Sequence, residues 1–129
     1  MREDIGGSME RCTLYEPVRL WHVTVNVAGD QVEPLIVRNA LRRLSDQRPF
    51  LHSLKYSGAR AEIQYWEEAD TLLDASSLAL RVWNEYRDSA VLPRWEVVGL
   101  EVLERAVFQR RGMEYAMVVD LQDVTPLPF

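Results

Sequence analysis

His22 is the residue of this sequence best placed to do chemistry. It stands in Trp21-His22-Val23-Thr24-Val25-Asn26-Val27, where apolar and polar residues alternate. Successive side chains of a strand point to opposite faces, so His22, Thr24 and Asn26 share a polar side while the other side is apolar. An imidazole of near-neutral pKa beside a carboxylate can serve as a general acid or base. Glu62 and Gln64, on a second alternating run Arg60–Trp66, are its expected neighbours. The same position also suits a sheet histidine that only hydrogen-bonds to a neighbour or a subunit. His52 follows the apolar alternation Phe50, His52, Leu54, Tyr56, which predicts a hydrogen-bonded histidine in the core or at its rim.

Other chemistries find less material. Zinc sites want several Cys or His at short spacings, whereas this chain has two separated histidines and the single Cys12. Glu67, Glu68, Asp70 and Asp74 cluster, but they straddle an expected helix start, where the helix dipole accounts for acids. No nucleophile elbow or P-loop is present, and Gly6-Gly7 is too short and too terminal to cradle phosphate. No metal, no cofactor and no catalytic residue beyond the candidate His22 is expected.

The elements that must position His22 follow from the same periodicities. Arg19–Val27 is the expected first central strand. Gln31–Leu44 has a helical period, with Val32, Leu35, Ile36, Ala40, Leu41 and Leu44 on one face, Pro34 in the first turn and Asp30 as N-cap. Phe50–Tyr56 and Arg60–Trp66 make a hairpin around Ser57-Gly58-Ala59. Its first arm leaves Leu51, Ser53 and Lys55 outside. A second helix spans 71–90, opened by Thr71 with Asp74 three residues on, and buries Ala75, Leu78, Ala79, Val82, Tyr86 and Ala90. Trp95–Leu103 is the fourth strand, with Val98, Leu100 and Val102 on one side.

Strand, helix, strand, strand, helix, strand predicts an α+β ferredoxin-like βαββαβ sandwich: an antiparallel four-stranded sheet of order 4-1-3-2 with two helices on one face. Residues 1–13 read as a flexible tail, 14–103 as the domain, and 104–129 as a C-terminal extension packing on the domain or on a partner subunit. Within that extension, Ala116–Leu121 could add a strand, and Val124–Phe129 reads as a loose or packed-down tail.

Trp21-His22-Val23-Thr24-Val25, Arg48-Pro49-Phe50-Leu51, Ala61–Ala69 and Trp95–Glu101 resemble a family of small uncharacterised proteins of high-GC bacteria. The resemblance covers residues 19–111; it implies the fold and carries no activity. Asn39–Leu44 through Phe50-Leu51 is similar to the opening of condensation-type acyltransferases, which use a paired-histidine motif ending in Asp-Gly. Here His22 and His52 stand alone, so the catalytic part of that likeness is missing.

At 129 residues and 15.0 kDa, the chain suits one domain. A hydrophobic content of 47% supplies a core, which argues against disorder of the whole chain. The net charge of −5 argues against general nucleic-acid binding, which depends on neutralising phosphates. A lone cysteine fits a reducing, cytoplasmic setting, and no apolar run is long enough to cross a membrane.

What is left is the open sheet face. Its expected ligand-binding residues are His22, Thr24 and Asn26 of the first strand with Arg60, Glu62, Gln64 and Trp66 of the third. Such a half-apolar face points to an interface or shallow pocket. The expectation is a non-enzymatic homodimeric binding or structural module. Two alternatives stand: a small enzyme with His22 as acid/base in a dimer-closed pocket, and an accessory domain that binds a carrier or other protein.

Overall fold

The computed structural model describes residues 19–113 and 124–129. Its elements are β1 (Leu20–Ala28), α1 (Pro34–Gln47), β2 (Leu51–Tyr56), β3 (Arg60–Glu68), α2 (Leu72–Tyr86), β4 (Glu96–Glu104), α3 (Arg105–Phe108), a π-helical turn (Gln109–Met113) and β5 (Leu127–Pro128). The tail expected over residues 1–13 and the strand expected at Ala116–Leu121 lie outside the described residues.

The fold is α+β, built on a five-stranded sheet of order β4-β1-β3-β2-β5. β1, β2, β3 and β4 pair antiparallel in the expected order 4-1-3-2. The sheet is nevertheless mixed rather than purely antiparallel, because β5 adds a short parallel pairing to β2. That strand occupies the stretch expected to be a tail. Its Phe129 N–H donates to the Tyr56 carbonyl at 3.0 Å.

The two-residue rhythm around Trp21 decides the layering. Trp21, Val23, Val25 and Val27 are buried beneath the helices together with Ala61, Ile63 and Tyr65 of β3. Burying each of the three valines contributes roughly 1.5–3 kcal/mol. Because β1 and β3 pair from Leu20–Glu68 to Ala28–Arg60 without a slip, the opposite faces of these two strands are also in register.

Both helices differ in detail from expectation. α1 begins at Pro34, with Glu33 rather than Asp30 as N-cap; the Glu33 carboxylate accepts from the Leu35 N–H at 3.3 Å. Its buried stripe is Val37, Ala40, Leu41 and Leu44, a clean i, i+3, i+4, i+7 set, while Leu35 and Ile36 are exposed. Counting Gln31–Glu33 as helical set the phase wrongly. That stretch instead crosses over the hairpin, where the Val32 N–H donates to the Gly58 carbonyl at 2.7 Å. For α2 the Thr71 cap holds, its hydroxyl accepting from the Asp74 N–H at 3.1 Å. The helix stops at Tyr86 and buries Ala75, Ala79, Val82 and Trp83, leaving Leu78 exposed. The Trp83 ring stacks on Trp95 with centroids 6.2 Å apart.

Candidate functional site

Two bulges decide which side chains reach the face away from the helices. Pairing of β2 with β3 passes from Leu51–Tyr65 directly to Ser53–Gln64, so His52 is an extra residue. A bulge of this kind breaks alternation by one residue. Leu51 and Leu54 therefore both lie in the helix-side core, and His52 does not. This corrects the expectation that Phe50 and His52 face the core and Leu51 the outside. Phe50 is 57% exposed and adopts a positive φ of 65°. β4 slips against β1 between Asn26 and Val27. Val97 consequently packs on the core, whereas Val98, expected to share one side with Leu100 and Val102, is 66% exposed.

Freed by its bulge, His52 turns to His22. The Nε2 of His22 and the Nδ1 of His52 are 2.9 Å apart, a hydrogen bond in which one ring donates and the other accepts. His22 is not flanked by Glu62, as the sequence suggested. Its cross-strand partner is Trp66, while Thr24 pairs with Gln64 and Asn26 with Glu62. The shift follows from register alone, since antiparallel partners run in opposite directions.

His22 lies on the open side of the sheet, yet it is only 3% exposed. Phe108 of α3 stacks on its ring with centroids 3.9 Å apart and planes inclined by 27°. Trp66 meets the imidazole edge-on at 5.0 Å. Trp66 and Phe108, with Leu20 and Leu103 against them, form a second small core separate from the one beneath the helices. Residues after β4 thus fold back over one end of the open face, anchored by Phe108. Arg111 adds an exposed ion pair to Glu101 at 3.3 Å, a contact worth little by itself.

The electrostatics follow from this cover. His22 is pushed down to about 4, first by burial and then by the charge that His52 would carry. Burial also lowers His52. With both lowered below 6.5, both rings are neutral at neutral pH, and the hydrogen bond requires only that the accepting nitrogen carry no proton. No carboxylate is ion-paired to either ring among the described residues.

The rest of the expected face is brought together but stays polar and accessible. Thr24, Asn26, Glu62 and Gln64 are half-buried side by side, and the Gln64 amide donates to Glu62 at 3.0 Å. Arg60 lies at the margin with its guanidinium 3.9 Å from the Phe129 ring centroid. Trp66, the seventh residue of that set, belongs to the covered end.

The acidic cluster is elsewhere. Glu67, Glu68, Asp70 and Asp74 line an open groove of about 610 Å³ with Ser77, Leu78 and Arg81. Glu67 is ion-paired to Arg48 at 2.9 Å in a largely buried setting. The Arg48 guanidinium also lies 4.3 Å from the centroid of Tyr65, whose phenol is pushed up to about 12, chiefly by burial. Among the described residues no group of three or more His, Cys, Asp or Glu is disposed to hold a metal ion. No helix there is long and apolar enough to cross a membrane.

One family match spans residues 20–118, more than half of the chain. The chain belongs to the family described as Domain of unknown function (DUF8830). The DUF8830 match runs from the start of β1 through Phe108 and the covering turn, and it leaves β5 outside. No curated protein and no solved structure matches the chain.

Proposed function

We propose that this DUF8830 member is a cytoplasmic, ferredoxin-like binding module of bacterial origin, without chemistry of its own, that works as a homodimer. Its ligand- or partner-binding surface is the uncovered part of the open sheet face: Thr24 and Asn26 with Arg60, Glu62 and Gln64. One observation carries this reading. His22 has one ring face against Phe108, an edge against Trp66 and its Nε2 engaged by His52, so little of it is left for a substrate. A base must reach the proton it abstracts. The neighbouring amides, hydroxyl and carboxylate supply hydrogen-bond donors and acceptors, and the Glu62 carboxylate is held by the Gln64 amide. Its sole cysteine fits the reducing compartment, and the resemblance to proteins of high-GC bacteria supports the origin.

A second reading draws support from the histidine pair itself. His52 is half-buried and could relay a proton between solvent and His22 in a pocket closed by the partner chain. NMR titration of the two imidazoles separates the readings. The binding module requires that His22 not titrate between about pH 8 and pH 5.5, given a pKa well below the ordinary value near 6.5. A His22 that titrates near 6.5 and is readily carbethoxylated would instead be accessible, and the binding-only reading would be lost.

A further inference from the structure

The two edges of the sheet are treated differently. The outer side of β2 receives β5, with Lys55 opposite Leu127 and Tyr56 opposite Pro128, and proline cannot extend the ladder further. β4 is nine residues long, contains no proline, and pairs only with β1 among the described residues. An edge of that length, unpaired on its outer side among the described residues, offers a row of backbone donors and acceptors to another strand. Charges usually guard such an edge, but two of its three glutamates are drawn back to their own chain. Glu101 binds Arg111, and Glu104 binds Arg19 at 2.9 Å.

An apolar stripe flanks this edge. α2 packs chiefly on β4 and β1. It leaves Leu73 and Leu80, seven residues or two turns apart, exposed to solvent, Leu73 by 74%. Leu80 borders a cleft with Trp95, Glu96 and Val97, which places it beside β4. Val98 and Leu100 of β4 are exposed as well.

Resting on the homodimer reading, we propose that the β4 edge and the Leu73–Leu80 stripe form the self-association surface. Two copies pair β4 against β4 around a two-fold axis, joining their sheets and bringing the α2 helices side by side. The occupant follows from the surface. An isologous contact needs a patch complementary to itself. An antiparallel strand pair and a leucine stripe at heptad spacing both satisfy that condition. A lone extended peptide would satisfy the backbone yet leave Leu73 and Leu80 in water. The area is also adequate. Nine residues at ~3.4 Å give ~30 Å of edge, and a helix of ~10 Å diameter beside a sheet makes its side roughly 20 Å deep. The resulting face of about 600 Å² approaches the ~800 Å² per partner of a stable complex. In this arrangement the axis is normal to the sheet, so both polar open faces lie on the same side and remain free.

Sedimentation velocity at micromolar concentration, with hydrogen exchange of the β4 amides, tests the assignment. Wild type is expected to run as a dimer. Leu73→Glu and Leu80→Glu together should weaken dimerisation by about 100-fold, as loss of central anchors does, and accelerate exchange in β4. Leu80→Ser with unchanged circular dichroism provides the milder version should the double variant misfold. Thr24→Arg with Gln64→Arg, on the open face, should leave the dimer intact. A dimer that survives both leucine variants, or one that only the open-face variant dissociates, would overturn the β4 assignment and leave dimerisation standing. A wild-type monomer would overturn both.

Discussion

His22 shows how a single side chain changes meaning once its surroundings are known. The alternation around Trp21 put it on the correct side of the sheet, but no local pattern announces that Phe108, far along the chain, will close over it. Burial holds the ring neutral with a pKa of about 4, below its ordinary value, so protons bind the unfolded chain more readily than the folded one. Stability is then fully present above about pH 6.5, falls as pH drops through the window between 6.5 and 4, and levels off below it. From pH 7.5 to pH 5 the loss from His22 is about 2 kcal/mol, at roughly 1.4 kcal/mol per pH unit below 6.5. Urea denaturation at several pH values should show this slope, and His22→Phe should flatten most of it. An equal slope in the variant would mean that other groups set the acid sensitivity. His52 departs from expectation for a different reason. Strict alternation puts it on the core side, and one extra residue in β2 shifts every side chain before it. The trace of the bulge was visible: Leu51 and Leu54, two large apolar residues three apart, cannot both face a core along an unbroken strand.

Among the elements, α3 is the one whose stability is borrowed. Four residues form too short a helix to persist unaided, so its place depends on Phe108 entering the cluster of Trp66, Leu20 and Leu103. Phe108→Ala removes about 3 kcal/mol of packing, more than such a segment can supply by other means. The expected result is release of residues 105–113 with the sheet intact, seen as fast amide exchange in that segment and slow exchange in β1 and β3. His22 should then titrate closer to its ordinary value. Slow exchange in residues 105–113 of the variant would show that other contacts hold the cover. Elements with uninterrupted periods were legible from the sequence. β1 lies within one residue of its expected bounds, β3 starts where expected and runs two residues further, to Glu68, and the hairpin turn and the Thr71 cap stand where the residues put them. Competing features hide the start of α1: Glu33 and Pro34 begin it where they stand, while the apolar Val32 mimics a buried helical position one turn earlier and misaligns the expected face.

At the scale of the whole molecule, the chain closes one flank of its sheet with residues 127–129. β5 is two residues long, yet it occupies the outer hydrogen-bonding side of Lys55 and Tyr56 and seats Phe129 against Arg60. Removing residues 127–129 should leave the fold intact and raise light scattering on mild heating, because an uncovered β2 invites edge-to-edge association. Unchanged scattering would show that β2 is protected in another way. The division of the interior into two cores has an optical consequence. All four tryptophans are shielded from water, but Trp21, Trp83 and Trp95 lie beneath the helices and Trp66 alone lies across the sheet. Intrinsic emission therefore records the two compartments separately: one indole reddens when the cover lifts, and all four redden only when the molecule melts.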